Sequence, residues 1–348
     1  MDKKLKVYIG LSGGVDSSVS AALLIESGYE VTGVFMKNWS QDLPGFQCPW
    51  REDYQDAKRV AVQLGIPFKM YDFEDQYRHK VVEYMLDEYK SGRTPNPDIM
   101  CNQEIKFKLF LDTALEDGAD MIATGHYAKT ENGRLLRAVD DNKDQTYFLY
   151  RVTKEALQKT IFPVGGYTKP QIRQLAKKFG LVTATKKESM GICFVGSVGI
   201  KEFLTQFVRT TQGSILDQNG LNVGSHDGAI FYTIGQRHGL NAGGGLPFYV
   251  TGKDMQKNVV YVTTDLQDEN LWTKIINLTD MHWIAGPPRG QEIFVRTRHR
   301  SELIKIKSTA VDGRKYTIEL DNALRALTPG QSAVIYTNDE CLGGGVIV

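Results

Sequence analysis

The chain has 348 residues, a length that predicts two or three domains and excludes a single small one. Hydrophobic residues make up 41% of the sequence and charged residues 24%, which excludes a compositionally disordered chain. The 42 Lys+Arg and 41 Asp+Glu give a net charge of +1, so a polyanionic partner must be recognised through a local basic patch. No stretch approaches the roughly 18 to 20 apolar residues that span a bilayer, and the first residues do not form a signal peptide. We therefore expect a soluble, cytoplasmic monomer that does not bind membranes.

The four cysteines, Cys48, Cys101, Cys193 and Cys341, are widely separated and form no Cys-X-X-Cys pair. This spacing argues against a zinc site and against an iron–sulfur cluster. In a reducing compartment each is expected to be a thiol, so any disulfide would be transient.

Strands and helices alternate along the first third of the chain. Apolar runs predict strands over 6–11, 30–36, 67–73 and 120–124, and helical periodicity predicts helices over 15–27 and 52–64. Both helices are followed by a glycine, Gly28 and Gly65. This alternation predicts the α/β class, with a doubly wound parallel sheet that has helices on both faces.

The pattern changes after about residue 204. Short alternating segments at 229–234 and 259–262 lie among turn residues and predict a small β-rich region. Five further strand candidates predict a C-terminal antiparallel β-barrel, at 292–300, 303–308, 315–320, 333–337 and 346–348. The glycine triplets at 243–245 and 343–345 are assigned to loops and turns. We expect a Rossmann-like catalytic domain over 1–203, a central β-rich domain over 204–273 and a barrel over 274–348.

The segment 10–18 reads Gly-Leu-Ser-Gly-Gly-Val-Asp-Ser-Ser and lies directly between a predicted strand and a predicted helix. Its adjacent glycines allow a tight turn, so that backbone N–H groups and the start of the helix can face an anion. Serine hydroxyls add donors, and the lack of Gly-Lys-Ser/Thr excludes a Walker A loop. The segment therefore predicts a phosphate-binding site of another kind.

Asp16 has two interpretations. A carboxylate in the first turn of a helix stabilises the helix dipole and needs no other role. Beside bound polyphosphate, however, it would repel the ligand unless a cation lay between them, which suggests Mg²⁺.

The Ser-Gly-Gly-Val-Asp-Ser sequence of this loop resembles the signature of the PP-loop ATP pyrophosphatases, which cleave ATP between the α and β phosphates. Five further segments resemble the bacterial tRNA-specific 2-thiouridylases, namely Thr-Pro-Asn-Pro-Asp-Ile-Met-Cys-Asn at 94–102, Thr-Gly-His-Tyr-Ala at 124–128, Asn-Lys-Asp-Gln at 142–145, Gly-Ile-Cys-Phe-Val-Gly at 191–196 and Tyr-Thr-Ile-Gly-Gln-Arg at 232–237. The resemblance spans essentially the whole chain. It implies ATP-dependent replacement of the 2-oxygen of a tRNA wobble uridine by sulfur, with ATP and Mg²⁺ as cofactors. The implied partners are tRNA, through its anticodon arm, and a protein that donates persulfide sulfur.

The same resemblance implies which residues hold the nucleotide. Adenylation would convert the uracil 2-oxygen, a very poor leaving group, into AMP. The implied ATP-binding residues are Gly10, Leu11, Ser12, Gly13, Gly14, Val15, Asp16, Ser17, Met36 and Gly125.

Cys101 is supported by a local argument as well. Asp98 is a candidate N-cap of the following helix, which places Cys101 in the first turn, where the positive helix end lowers a thiol pKa. The charge of Asp98 works against this, so Asp98 is either a plain cap or a proton acceptor for the thiol or the substrate. The resemblance favours the second role and implies that Cys101 is the nucleophile. It also places Asn96, Pro97 and Asp98 at the target base.

Cys193 lies in an apolar run that by itself is typical of a buried strand, although the flanking glycines would allow a hinged loop. The resemblance implies that Cys193 carries the persulfide and then forms a transient disulfide with Cys101. Transfer from the bound persulfide and transfer as free hydrosulfide both stay open.

His126 follows a predicted strand, at the edge where open α/β sheets bind ligands. By itself it is either a hydrogen-bonded loop residue or a ligand contact. The resemblance implies a tRNA-binding set of His126, Lys143, Asp144, Gln145, Arg298, His299 and Gln331. Independently, alternation along the predicted strand 292–300 places Arg296, Arg298 and Arg300 on one face. That face either binds tRNA phosphates or is a solvated barrel surface.

Three alternatives stay open. A PP-loop ligase or amidotransferase acting on a small molecule would need an ammonia source, and no amino-terminal Cys is present to serve a glutaminase. The cluster-dependent tRNA thiolases need a Cys-X-X-Cys pair, which this sequence lacks. A non-catalytic RNA-binding protein would keep the loop without any ATP chemistry. Release of AMP and pyrophosphate, measured with and without tRNA, distinguishes these possibilities.

Overall fold

The computed structural model of the protein describes residues 4–42, 47–187, 199–243 and 245–348. The predicted sulfur-carrying segment 191–196, with Cys193, lies outside these residues. Within the described ranges, no helix has the length and apolar character that crossing a bilayer requires.

The amino-terminal half of the chain contains the parallel sheet that the sequence predicts. Its strands are β1 (Lys6–Gly10), β2 (Glu30–Lys37), β3 (Phe68–Asp72), β4 (Met121–Ala123), β5 (Lys129–Glu131), β6 (Arg134–Leu136) and β7 (Thr160–Ile161). Five of them pair in the order β3-β2-β1-β4-β7, all parallel. The chain leaves β1 in one direction and returns to its other side as β4. The loops after β1 and β4 therefore open together at the topological switch point, where such sheets bind ligands.

Helices cover both faces of this sheet, as predicted. The helices are α1 (Val15–Glu26), α2 (Trp50–Leu64), two longer segments over 74–90 and 97–116, and the shorter Thr146–Leu149, Lys154–Gln158, Lys169–Lys178 and Ile200–Leu204. The two longer segments contain π-helical turns at Arg78–Val82 and Cys101–Leu109. Val7 and Ile9 of β1 pack in a core with α2, whereas Tyr8 packs in a second core with Ile105. This alternation of side chains between two cores confirms a doubly wound sheet.

A small separate sheet follows. It consists of β8 (Gly213–Leu216), β9 (Asn222–His226), β10 (Tyr249–Asp254) and β11 (Val259–Thr263), in the order β10-β11-β8-β9. The predicted strand at 259–262 is confirmed, but the predicted strand at 229–234 is wrong, because Ala229–Phe231 is a 3-10 helix. Gly228, at φ 151°, turns the chain so that Ala229 and Ile230 are buried without extended backbone.

The carboxy-terminal strands form a closed antiparallel barrel, which confirms the predicted architecture. They are β12 (Trp272–Trp283), β13 (Phe294–Arg296), β14 (Ile304–Asp312), β15 (Lys315–Arg325), β16 (Ser332–Tyr336) and β17 (Glu340–Ile347). The order is β12-β15-β14-β13-β16-β17, and pairing of β12 with β17 closes the barrel. Two expectations were wrong: the strand at 292–300 ends at Arg296, and the glycines 343–345 lie inside β17. A Cβ at Gly344 would collide with the carbonyl oxygen of Ala333, so glycine serves a close strand contact there.

The amino-terminal half and the barrel share a sheet edge. β5 and β6 form a hairpin, and β6 pairs with β17, so the barrel sheet continues into the hairpin. Tyr336 and Cys341 of the barrel belong to the same hydrophobic core as Tyr147. The predicted boundaries at 203/204 and 273/274 fall inside the helix Ile200–Leu204 and inside β12, and the three-domain division stays a prediction.

Candidate active site

The loop between β1 and α1 has the geometry of an anion site. Gly13 adopts φ 74°, and a Cβ there would stand 2.5 Å from the carbonyl oxygen of Asp53, so only glycine fits this turn. The Ser17 hydroxyl accepts a hydrogen bond from the N–H of Ser12 at 3.2 Å and donates to the carbonyl of Gly14 at 3.1 Å. These bonds hold the loop around the amino terminus of α1, where N–H groups and the helix dipole favour an anion.

A cavity of about 550 Å³ borders this loop at the carboxyl edge of β1 and β4. Its wall combines residues that the sequence assigned separately to ATP and to tRNA. The predicted residues in the wall are Gly10, Ser12, Gly14, Val15, Asp16, Ser17, Met36, Gly125, His126, Lys143, Gln145 and His299. The others are Lys106, Thr124, Tyr127, Phe148, Lys187 and Arg300. Lysines and arginine thus outnumber Asp16, the one carboxylate among the described residues of this wall, which suits a polyanionic ligand.

The carboxylate of Asp16 is neutralised within the protein. Lys169 Nζ donates to its two oxygens at 2.7 and 2.8 Å, and the hydroxyl of Tyr127 donates to Oδ1 at 2.9 Å. Lys169, from the helix Lys169–Lys178, is thus a cation beside Asp16, and Mg²⁺ at this carboxylate stays a prediction. In the part of the chain that the structure describes, no group of three or more His, Cys, Asp or Glu could hold a metal. The described residues therefore form no metal site of their own, and we derive no step from a metal ion.

The hydrogen bonds around His126 assign it as a neutral imidazole. Lys106 Nζ lies 3.4 Å from Nε2, and because an ammonium can only donate, Nε2 is the acceptor. Nδ1 then carries the proton and donates to Thr124 Oγ1 at 2.8 Å. Burial, and to a lesser extent the charge of Lys106, lower the pKa of His126 well below its ordinary value. The ring packs against Phe107 and Phe162, which fixes its orientation.

The helix that carries Asp98 is capped by a different residue from the one predicted. The side-chain oxygen of Asn96 accepts from the N–H of Asp98 at 3.2 Å, and Pro97 occupies the first helical position. Asp98 as N-cap is therefore wrong: Pro97 has no N–H to satisfy and suits the position directly after a cap. Burial raises the pKa of Asp98, although the charge of Lys106 acts in the opposite direction. A carboxylate with a raised pKa is a stronger proton acceptor than an ordinary one.

Cys101 lies deeper than the cavity wall. Its side chain is 3% exposed and belongs to the core between the helical segment 97–116 and the sheet. The next residue, Asn102, donates to the carbonyl of Phe148, a wall residue, at 3.0 Å. A second cavity of about 290 Å³ is lined by Asn96 and Met100 and by barrel residues such as Ser332. Because Cys193 lies outside the described residues, its persulfide role and its pairing with Cys101 stay predictions.

Asp144 is buried rather than presented to a ligand. Its carboxylate accepts from Thr146 Oγ1 at 2.8 Å and from Arg296 Nη1 at 3.3 Å. Asp144 is 0% exposed and Arg296 is 5% exposed. The expectation of one basic face over 292–300 is therefore wrong, because β13 ends at Arg296 and this arginine is buried beside Asp144. A buried carboxylate requires a paired cation, and Arg296 supplies it.

The residues after β13 have separate partners. Arg298 Nη2 donates to the carbonyl of Ala326 at 2.7 Å, whereas His299 and Arg300 line the cavity. The ring of His299 lies 4.6 Å from the ring of Phe148. Burial, followed by the nearby positive charges of Arg300 and other cations, lowers the pKa of His299 to about 4.

Gln331 does not line the cavity but contacts the segment that leads to Asn96. Its side-chain amide donates to the carbonyls of Thr94 and Pro95 at 2.7 and 3.3 Å. Gln331 thereby fixes the start of the helix that carries Asp98 and Cys101.

Sequence reasoning missed several residues of the site, among them Lys106, Tyr127 and Lys169. Tyr127 lies within the segment 124–128 that resembles the 2-thiouridylases, which was the available signal. Lys169 lies 153 positions from Asp16, and nothing in the sequence connects the two.

A parallel α/β sheet with a glycine-rich loop and a basic cavity at its switch point, joined to a β-barrel, has the PP-loop (Rossmann-like) fold class that the sequence predicts. Family models cover nearly the whole chain: tRNA methyl transferase HUP domain over 5–197, tRNA methyl transferase PRC-barrel domain over 201–264 and Aminomethyltransferase beta-barrel domain over 273–347. The tRNA-specific 2-thiouridylase MnmA of Bacillus subtilis (strain 168) is 48% identical over 351 residues, 98% of this chain and 94% of that protein. Its counterpart in Bacillus thuringiensis (strain Al Hakam) is 48% identical over 349 residues, with the same coverage. The chain belongs to the tRNA-specific 2-thiouridylase family, which confirms the resemblance and the enzyme class predicted from the sequence.

Similarity to solved structures is distant. A 4-thiouridine synthetase in complex with RNA and ATP has a TM-score of 0.38 and 20% identity, over 58% of this chain and 50% of that chain. NMN synthetase from Francisella tularensis has a TM-score of 0.34 and 17% identity, over 53% and 66%.

Proposed function

We propose that the protein catalyses ATP-dependent replacement of the 2-oxygen of a tRNA wobble uridine by sulfur, as a cytoplasmic monomer. The products are 2-thiouridine, AMP and pyrophosphate. The observation that carries the proposal is the one cavity shared by the phosphate loop, the loop over 143–145 and the barrel residues His299 and Arg300. A nucleotide and a tRNA base can react only where their binding residues face a common space. Membership of the 2-thiouridylase family supports the choice of substrate.

The wall fits a nucleotide polyphosphate. The hydroxyls of Ser12 and Ser17, the start of α1, and the lysines of the wall are donors suited to phosphate oxygens. The proposed ATP-binding residues are those of the loop from Gly10 to Ser17, together with Met36 and Gly125. Mg²⁺ commonly binds substrate phosphates and waters with few protein ligands, and we propose that it enters with ATP.

The loop over 143–145 and the barrel are proposed to receive the tRNA. Lys143, Gln145 and His299 line the cavity and can contact the target nucleotide or its phosphates. Asp144 acts from the interior, by holding Arg296, and Gln331 acts by fixing the approach to Asn96.

Adenylation prepares the uracil 2-oxygen to leave as part of AMP. In the proposed step a bond forms between that oxygen and the α-phosphorus, and pyrophosphate leaves with the electron pair of the bond that breaks. The uracil N3 proton is lost at the same time, and Asp98 is the proposed acceptor, because burial raises its pKa.

Sulfur then reaches C2 of the base through the two cysteines. The terminal sulfur of a Cys193 persulfide, formed by a sulfur-donor protein, attacks C2 and AMP departs. The thiolate of Cys101 attacks the Cys193 sulfur, which forms a Cys101–Cys193 disulfide and releases the new sulfur on the base. A thiol reductant must then reduce the disulfide before the next turnover.

The test is AMP and pyrophosphate formation with a tRNA transcript that has uridine at the wobble position, compared with the same transcript carrying cytidine there. We expect both products only with the uridine transcript. Asp16→Asn should abolish them, whereas Glu26→Gln, at the exposed far end of α1, should not. AMP formation that ignores tRNA would favour a small-molecule ligase, and tRNA binding without AMP formation would favour a non-catalytic RNA-binding protein.

A further inference from the structure

Lys106 lies in the cavity wall beside groups that already have proposed roles. It projects from the π-helical turn Cys101–Leu109, on the same helical segment as Asp98. Its Nζ is 3.4 Å from Nε2 of His126, and its charge acts on Asp98. Two residues further along, Lys108 is exposed and pairs with Glu104 at 3.2 Å. The same helix thus has one lysine at the cavity and another at the surface.

The contacts of His126 keep its imidazole neutral and orient Lys106. Its Nδ1 proton is committed to Thr124 Oγ1, and Phe107 and Phe162 hold the ring. The acceptor lone pair on Nε2 therefore has a fixed direction, and the lysine that donates to it is fixed as well. A protonated His126 would lose this acceptor and repel the ammonium.

The phosphate loop belongs to the wall of the same cavity. Ser12, Ser17 and the first turn of α1 line the same cavity as Lys106. Lys106 is thus a cation on the helix that carries the proposed proton acceptor Asp98, facing a space lined by phosphate-binding groups. A phosphate held by the loop in this cavity therefore lies in the space that Lys106 borders.

We propose that Lys106 is a catalytic residue that donates hydrogen bonds to the α-phosphate of ATP during attack by the uracil 2-oxygen, and that His126 is its positioning residue. The inference rests on the proposed function and deepens it. Lysine keeps its protons throughout; the oxygen–phosphorus bond forms, the bond to pyrophosphate breaks, and the electron pair leaves with pyrophosphate. A preorganised cation stabilises the charge on the phosphate oxygens in the transition state.

The test is single-turnover AMP formation with the wobble-uridine transcript, comparing Lys106→Met with its matched control Lys108→Met. Removal of one preorganised donor typically lowers the rate by about 100- to 1,000-fold, and we expect a loss of this size for Lys106→Met only. Two other quantities should change only a few-fold. One is the KM for tRNA, and the other is the affinity, measured by calorimetry, for a non-hydrolysable ATP analogue with methylene between the α and β phosphates. His126→Ala should lower the rate in the wild-type background but add no further loss to Lys106→Met, because it acts through that lysine.

Two results would overturn the inference. One is a Lys106→Met rate equal to that of Lys108→Met, and the other is a higher KM for tRNA with an unchanged maximal rate, which would make Lys106 a tRNA contact. If circular dichroism shows that the Met variant is unfolded, Lys106→Gln is measured against the same criteria. Failure of the wild-type protein to form AMP with tRNA would instead refute the proposed function itself.

Discussion

Replacing Arg296 with Gln should destabilise the protein, because it leaves the carboxylate of Asp144 buried without its main cation. Removing one partner of a buried pair costs about 3 to 5 kcal/mol. Three partners reduce the loss: Thr146 Oγ1 still donates at 2.8 Å, the N–H of Ala138 donates at 3.1 Å, and Arg137 Nε lies 3.9 Å from the same carboxylate. We therefore expect a loss of about 3 kcal/mol, the lower end of that range. With an unfolding entropy of about 2.1 cal/mol/K per residue, a loss of this size in a chain of 348 residues should lower the melting temperature by roughly 4 °C.

The assay combines thermal unfolding with tRNA binding measured over a range of salt concentrations. Arg300→Gln is the matched control, because Arg300 follows the same strand but lines the cavity. The control should melt close to the wild type and, as a phosphate contact, flatten the plot of log affinity against log salt by roughly 0.7 to 0.9. Arg296→Gln should show the reverse pattern, with a lower melting temperature and an unchanged salt slope. The reasoning is refuted if Arg296→Gln melts with the wild type and reduces the salt slope as Arg300→Gln does.

Three further predictions concern the site itself. Asp16→Ala and Lys169→Met should each abolish AMP formation, because either change breaks the ion pair beside the phosphate loop. Both variants should keep a tRNA affinity within a few-fold of the wild type. Full activity in both variants would show that Asp16 only stabilises the start of the helix. Either Cys101→Ser or Cys193→Ser should stop sulfur transfer. Only Cys193→Ser should lose the persulfide mass adduct after incubation with a sulfur donor. Continued transfer by both variants would exclude the two-cysteine mechanism. Because burial lowers the pKa of His299 to about 4, against an ordinary value of about 6.5, the unfolding free energy should fall as pH falls between these values. Urea unfolding across this pH range should show a shallower fall for His299→Gln, and an identical fall would contradict the assignment.

The parallel sheet could be predicted because buried strands and amphipathic helices alternate plainly in the sequence. The strand β12 could not be predicted from the sequence, because its pairing has register shifts between Thr273 and Ile275 and between Thr279 and His282. A bulge inserts a residue and breaks the period-two pattern on which strand prediction depends. The opposite error occurred at 292–300, where a regular alternation continued beyond the residues that actually pair as β13.

The phosphate loop could be predicted because it consists of consecutive residues. The ion pairs of the site could not, because they join residues that are far apart in the sequence. Glycines and serines between a strand and a helix indicate a phosphate loop from a few consecutive residues. The partner of Asp16 depends on how the helix Lys169–Lys178 packs against α1, which tertiary structure alone determines. Lys106 reaches the cavity from a π-helical turn, which shifts side chains relative to the α-helical period assumed in reading the sequence.

The three consecutive residues Lys143, Asp144 and Gln145 resembled a single tRNA-binding set, but their side chains have different surroundings. Lys143 faces the cavity, and Asp144 binds Arg296 of the barrel strand β13. Gln145 is joined to Tyr127 twice, by its side-chain oxygen and by its backbone N–H, each at 2.9 Å, and the hydroxyl of Tyr127 binds Asp16. A continuous series of hydrogen bonds and ion pairs therefore connects the phosphate loop, through this tripeptide, to the barrel. Because the members of this series are mostly buried, the barrel that supplies His299 and the loop that supplies Ser12 are held at a fixed separation, and one cavity can serve both substrates.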